Sequence, residues 1–287
     1  MSVDLLTAEP VVDDKSALGE SPVWEPETGV HWLDVDRWRL HTLYVDGRHE
    51  FIGLPRMVTS VSLAHNHSML AVTVDGFALI YLDQHRFEPI AQIIEDPSIS
   101  MNDATVDSRG RCWAGSAVRD GTKRGALYLL QGKDVKQVAD EVGMSNGIGW
   151  SPDERRLYHV DTAAGTVRSW SYDDKRSCLE TPTLLRWVSP DVGLLDGLAV
   201  DQDGRIWLAV WGTGEVWCLD QHTGSTLAVI EVPTPYVTSC AFGGTELSTL
   251  YITTADYDDA HGGGLLYAVD TPTRGLGASL FEERLCR

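Results

Sequence analysis

Apolar residues along this chain come in short bursts that repeat six times. The runs Val30–Val35, Met69–Val74, Cys112–Ser116, Leu157–Asp161, Ile206–Trp211 and Leu250–Thr254 are rich in Val, Ile, Leu, Trp and Tyr and lie among turns containing Asp and Gly. Residues of these types fit a pleated, half-buried surface, so each run predicts a strand. A second run follows each one: Leu40–Asp46, Ala78–Asp83, Ala126–Leu130, Val167–Asp173, Glu215–Asp220 and Gly264–Asp270. The first runs start 39, 43, 45, 49 and 44 residues apart. No stretch carries the apolar period of a helix for more than about two turns.

A super-period of about 40–50 residues, with room for four strands per repeat, predicts an all-β fold: a six-bladed β-propeller with a central channel. A sandwich would also have evenly spaced strands, but it gives no reason for the longer period. The connections are short and turn-rich, with no shift in composition, so residues 1–287 read as a single propeller domain. Ring closure has to hide the edge strands of the first and last blades. The segment Pro10–Ser16, which precedes the first repeat, is expected to complete the last blade as an N-terminal closing strand.

The repeat also places polar side chains. In a propeller the first strand of each blade lines the channel. Counting back from the predicted second strands gives Glu20, Ser60, Asn102, Asn146, Asp196 and Thr238 or Ser239, all polar. Four places on from these stand Trp24, Ala64, Val106, Trp150, Val200 and Phe242, none of them polar in character. Two carboxylates focused on one point without a counter-ion would repel and raise a pKa, and a bound divalent cation removes that penalty. Glu20, Asn146 and Asp196 offer three oxygen ligands and two negative charges, matched to one divalent metal ion. Oxygen ligands suit Ca²⁺, Mg²⁺ or Mn²⁺, and Zn²⁺ also accepts carboxylates. No His or Cys falls at these positions, so a typical zinc set is not expected. Asp196 is the candidate general base towards a water. Asn102 and Asp103 are placed to hydrogen-bond substrate hydroxyls.

Composition narrows the partners. With 23 Lys and Arg against 42 Asp and Glu, the formal net charge is −19. Nucleic-acid backbones and anionic membranes would repel such a chain. The N-terminus has neither a basic stretch nor an apolar core of the kind a signal peptide needs, and no run approaches the roughly 18 apolar residues of a membrane helix. The five cysteines, 112, 178, 218, 240 and 286, are odd in number and widely spaced. They read as reduced thiols of a cytoplasmic protein. There is no G-x-S-x-G elbow, H-E-x-x-H pair or phosphate-cradling glycine loop. Asp201-Gln202-Asp203-Gly204 echoes the start of a calcium loop, but no Glu follows at the required spacing, and it reads as a hairpin turn. Among the tryptophans, Trp24, Trp32, Trp113, Trp150 and Trp207 fall at strand positions and read as packing between blades, whereas Trp211 lies where it could line a pocket.

Four segments carry a resemblance: Leu18-Gly19-Glu20-Ser21-Pro22-Val23-Trp24, Asn102-Asp103-Ala104-Thr105-Val106-Asp107, Ser145-Asn146-Gly147-Ile148-Gly149-Trp150-Ser151-Pro152-Asp153 and Asp196-Gly197-Leu198-Ala199-Val200-Asp201. Together they resemble the gluconolactonase family, which includes senescence marker protein (regucalcin). The resemblance implies a six-bladed propeller that hydrolyses sugar lactones with one divalent metal ion in the channel. By motif position it puts the metal ligands on Glu20, Asn146 and Asp196, the base on Asp196, and substrate binding on Asn102 and Asp103. One departure stands out: sugar lactonases of this kind usually carry an Arg two places before that Asn, and this chain has Ser100, which stands in its place as a third substrate-binding candidate. Arg56 and Arg119 are the candidate replacements for the lost charge. Two other readings share the architecture, an aryl-ester or organophosphate hydrolase and a non-catalytic propeller that binds calcium or a protein.

Overall fold

The computed structural model describes residues 4–118, 124–173, 178–258 and 261–283; Arg119 and Cys286 lie outside the described residues. The chain forms six sheets, each built on strands that follow one another in sequence and pair antiparallel, with an N-terminal strand added to each of the last two. Blade one, for example, consists of Gly19–Glu25, Gly29–Asp34, Arg39–Tyr44 and His49–Gly53. The innermost strands of the other blades are Val58–Ala64, Ile99–Val106, Ser145–Trp150, Leu194–Val200 and Val237–Gly243. Each innermost strand packs against that of the next blade, and the sixth against the first, which closes the ring. Second strands at Gly29–Asp34, Ser68–Thr73, Cys112–Val118, Arg156–Asp161, Ile206–Trp211 and Thr249–Thr254 fall within a residue or two of the predicted runs. Among the described residues the helical content is one short 3₁₀ turn, Leu82–Gln84, and no helix is long and apolar enough to cross a membrane.

Recurring acidic turns tie the blades to their packing. Asp107 accepts the N–H groups of Arg109 and Arg111 and the indole of Trp113 at 2.9 Å. Asp201 repeats this with Asp203, Arg205 and the indole of Trp207 at 3.1 Å. A buried carboxylate thus satisfies both a hairpin turn and the one polar atom of the tryptophan that fills the gap between blades. Trp32, Trp113 and Trp207 are each 1% exposed. The oxygens of Asp201 are occupied in this way, which is why its calcium-loop-like sequence is a turn. Cys112, Cys218 and Cys240 are buried thiols, and Cys178 is half-buried.

Closure differs in detail from the expectation. Regular pairing with Tyr267–Asp270 of blade six is confined to Glu9–Pro10. Residues 11–16 follow the same blade through single bonds, Val11 N–H to Leu266 O at 2.9 Å and Ser16 N–H to Gly264 O at 2.8 Å. The proline at position 10 has no N–H to extend a ladder. Asp4–Thr7 adds a second attachment that the sequence did not suggest, pairing in parallel with Thr226–Glu231 as a fifth strand of blade five.

The far end of the channel is crossed by the chain's C-terminal segment. Gly275 bridges Asp201 and Leu276 N–H bonds Val200 O on one side; Phe281 N–H bonds Leu63 O at 2.7 Å and Glu282 N–H bonds Gly110 O at 2.9 Å on the other. Phe281 is 1% exposed and packs with Phe77, Met101 and Val106. A cavity of about 390 Å³ runs above this strap, lined by Val61, Asp103, Ile148, Leu198, Ser239 and Ser279.

Candidate functional site

All six innermost strands break register at the same level of the channel. The breaks lie between Glu20 and Val23, Val58 and Ser60, Met101 and Ala104, Ser145 and Ile148, Leu195 and Leu198, and Val237 and Ser239. A bulge leaves its residues out of the ladder and re-aims their side chains. Asn102, Asp103, Asn146 and Asp196 sit within these bulges and Glu20 at the edge of one. Their backbones are therefore bent at the level where the blades meet.

Glycine makes that meeting close. A Cβ on Gly147 would lie 2.7 Å from Leu198 N and 2.8 Å from Asp196 O, and one on Gly197 would run into Ser239 Oγ. The Asn146-Gly147 and Asp196-Gly197 pairs thus let blades four, five and six bring their inner strands together. Behind the ring, buried aspartates hold the entry loops. Asp34 accepts the N–H groups of Ala17 and Leu18, just before Glu20. Asp161 accepts those of Gly143 and Met144, just before Asn146.

Hydrogen bonds run through these side chains in two series. Asn102 Nδ2 donates to Ser145 O at 2.7 Å and to Asn146 Oδ1 at 3.1 Å. Asn146 Nδ2 donates to Thr162 Oγ1 at 2.9 Å, and that hydroxyl donates to Leu195 O at 2.6 Å, next to Asp196. On the other side Asp103 Oδ1 accepts from Ser60 Oγ at 3.3 Å and from the Ala104 N–H at 2.7 Å, and Ser60 Oγ meets Ser21 Oγ at 3.1 Å. Glu20 accepts the Ser21 N–H at 3.1 Å.

The three carboxylates share one field. Burial, then the charges of Asp196 and Asp103, push Glu20 well above the ordinary carboxylate range, against the Ser21 N–H. Burial and Asp103 do the same to Asp196, against the Gly197 N–H. Asp103 is raised by burial to about 6, with the Ala104 N–H and the Ser60 hydroxyl opposing. Among the described residues no Lys, Arg or His forms an ion pair with any of the three. Recessed carboxylates that raise one another without a cation are what a bound cation would relieve. Glu20 and Asp196 supply carboxylate oxygens and Asn146 an amide oxygen with a lone pair to spare beyond its bond to Asn102. The residues present therefore fit a hard divalent ion held by oxygen.

Asn102 and Asn146 are joined directly, Asp103 is tied to Ser60, and Glu20 and Asp196 stand beside them on the same bulges, coupled to Asp103 through their charges. Ser100 lies apart from them. It is buried at the rim and lines a second cavity of about 590 Å³ with Trp38, Arg56, Met57, Asp75 and Ile94. Arg56 is thus near Ser100, but its guanidinium is held by Asp75 at 2.8 Å. Arg119 is outside the described residues. Thr162 was not foreseen. The available signal is its place directly after Asp161 at the end of a second strand. Trp211 stands opposite Leu194, two residues from Asp196, and packs with Tyr236 and Tyr257 at ring separations of 4.7 and 5.8 Å.

Residues 18–256 match the family described as SMP-30/Gluconolactonase/LRE-like region. The chain is 36% identical to the pentonolactonase XacC of Haloferax volcanii over 282 residues, covering 96% of this chain and 94% of that protein. It is 31% identical to the regucalcin of Danio rerio over 260 residues, 87% of each. The crystal structure of a calcium-binding regucalcin from Agrobacterium tumefaciens superposes with a TM-score of 0.91 at 25% identity, covering 98% of this chain and 99% of that one.

Proposed function

Because the chain belongs to the SMP-30/gluconolactonase/LRE-like family, we propose that it hydrolyses a sugar (aldono) lactone to the hydroxy acid and depends on one divalent metal ion. The observation that carries this reading is the cluster of Glu20, Asp103 and Asp196, which raise one another with no cationic side chain paired to them among the described residues, beside the bonded pair Asn102 and Asn146. Relatives with lactonase names, such as the pentonolactonase XacC, support the substrate class.

Glu20, Asn146 and Asp196 are the residues that would hold the ion, with Ca²⁺, Mg²⁺ or Mn²⁺ favoured over Zn²⁺ by an oxygen-only donor set. When bound, the ion supplies Lewis acidity, polarising the lactone carbonyl and making water easier to deprotonate. Asp196 takes a proton from the attacking water as the water oxygen bonds to the carbonyl carbon. The ring C–O bond then breaks, and the proton passes to the ring oxygen, which leaves as a hydroxyl of the opened chain. The product carboxylic acid ionises at neutral pH, so each turnover acidifies the solution by one proton.

Asn102 and Asp103 position the sugar. The amide N–H of Asn102 is committed to Ser145 O and Asn146 Oδ1, which leaves its oxygen to accept from a substrate hydroxyl. Asp103 spends Oδ1 on Ser60 and Ala104 and keeps its other oxygen for the same purpose. Ser100 gives a short neutral side chain where an Arg would reach into the site, so this chain should tolerate lactones that lack an anionic or strongly accepting group there. A pH-stat assay on a lactone panel tests the reading. Acid release that stops with chelator, returns with added metal and is absent from Asp196→Asn supports it; acid release that survives either treatment overturns it.

A further inference from the structure

A second polar cluster lies far from the channel axis, at the seam where the ring closes. His41 is in the third strand of blade one and His49 in its outermost strand. Asp14 belongs to the segment that leaves the closing strand of blade six and enters blade one. One carboxylate oxygen of Asp14 and one ring nitrogen of each histidine all lie within 4.8 Å of one another. The rings of His41 and His49 are within 3° of coplanar, and His41 Nδ1 faces His49 Nε2 at 3.0 Å. Both rings rest on the indole of Trp32, at 4.9 and 5.2 Å. His41 is 0% exposed, while Asp14 and His49 are half-buried and open to solvent.

We propose that Asp14, His41 and His49 form a binding site for a divalent cation of the zinc class, which pins the N-terminal closing segment to blade one. Two imidazoles and one carboxylate are a donor set for Zn²⁺, Co²⁺ or Ni²⁺ and a poor one for Ca²⁺ or Mg²⁺, which take oxygen. Two nitrogens each about 2.1 Å from one ion stand about 3.0–3.4 Å apart, and the two here are already at 3.0 Å. The same pair of lone pairs can share a proton or turn onto a cation. Ligation turns both lone pairs off the line that joins them, which half-exposed His49 can do by rotating its ring and buried His41 only by a smaller tilt. Ligation through Nδ1 leaves the His41 proton on Nε2, which is buried without a hydrogen-bond partner among the described residues, so the bonds to the ion have to offset that unmet donor. Asp14 brings the charge that balances part of the cation's.

The consequence is mechanical. The segment carrying Asp14 is held to blade six by Val11 and Ser16 and reaches blade one only a few residues later. An ion shared between Asp14 and two strands of blade one would fasten this crossing from the other side. It binds the closed ring and not the opened one, so it raises the melting temperature by mass action.

The test is a Zn²⁺ titration of the full chain carrying Glu20→Gln and Asp196→Asn, which disables the channel oxygens, followed by calorimetry and a melting curve. The expected result is one Zn²⁺ per chain and a rise in melting temperature of about 5 °C when Zn²⁺ exceeds Kd a hundredfold. Adding His49→Ala should weaken binding at least a hundredfold and remove most of the shift, and Asp14→Asn should weaken it less. The unaltered chain titrated with Co²⁺ gives a second readout that does not depend on how the channel variants fold: a visible absorption band that His49→Ala abolishes. Excess Mg²⁺ should displace neither ion. If Zn²⁺ uptake is absent, or is unchanged in His49→Ala, the cluster is a hydrogen-bonded histidine pair and the proposal falls.

Discussion

The channel cluster and the seam cluster are both polar groups gathered from distant parts of the chain, yet they are built from opposite materials. In the channel three recessed carboxylates raise one another, with only amides and hydroxyls between them. At the seam two imidazoles meet a single carboxylate against a tryptophan face. The first is a strong negative field held open by bulged strands, and the second has one carboxylate, with its two histidines on regular strands. Charge density, not the number of donors, separates a place suited to a hard ion and a polar substrate from one suited to a structural fastening. Bulges serve the former because they turn backbones towards the axis. The paired strands of blade one serve the latter because cross-strand neighbours are held in place.

The sharpest way to break this contrast is to remove the charge at its centre. Asp196→Asn keeps the shape and should lower kcat about 10³-fold, the loss expected of a general base that also holds an ion, without lowering the melting temperature. A kinetic comparison with a parallel melt checks both halves. A seam variant, His49→Ala, should leave kcat unchanged under the same assay.

Acid probes what lies behind the channel. His159 is fully buried, bonds Ser145 Oγ at 3.0 Å, and is lowered by burial to about 4. Its folded pKa lies below the ordinary value of 6.5, so the unfolded chain binds more protons between the two. Its stabilising contribution is complete above about 6.5 and is lost as pH falls towards about 4, amounting to about 3 kcal/mol over that window. The raised carboxylates of the channel run the opposite way over this window, so the test is a difference: urea unfolding at pH 7, 5.5 and 4 should show the unaltered chain losing stability relative to His159→Gln as pH falls.

A smaller effect follows from the close approach of blades five and six. Gly197→Ala puts a methyl group into Ser239 Oγ and should cost about 2 kcal/mol of stability, with activity falling as Asp196 is displaced. The equivalent change at an open turn glycine, Gly47→Ala, meets no atom within 4 Å but sits at a φ of +85°, so it should cost only about 1 kcal/mol. Smaller still, Asn102→Ala should raise KM about tenfold, by loss of one hydroxyl contact, with kcat changed less. Steady-state kinetics separates this from the Asp196 effect.

The strands and the channel positions were legible because both follow from periodicity. Val, Ile, Leu and Trp between acidic turns mark the second strands, and a fixed offset from them finds Glu20, Asn146 and Asp196. What the sequence hid depends on long-range register. The six aligned bulges leave no compositional trace. The strand Asp4–Thr7 is only four residues long and pairs with a blade more than 200 positions away. The strap at residues 275–282 is Gly- and Leu-rich without alternation, and it holds its place by capping the ends of other strands. Asp14 could not be joined to His41 and His49 before the closing segment was known to pass over blade one. The pairing of Arg56 with Asp75 likewise appears only once blade two is folded.

The account rests on an ion held by Glu20, Asn146 and Asp196 being required for lactone opening. The most direct measurement is pH-stat turnover of the purified chain alongside its elemental content, before chelation, after it, and after metal is restored. The account predicts that activity and bound metal fall together and return together, and that Glu20→Gln recovers neither. Turnover that continues in a chain shown to carry no metal, or that is undiminished in Glu20→Gln, would contradict it.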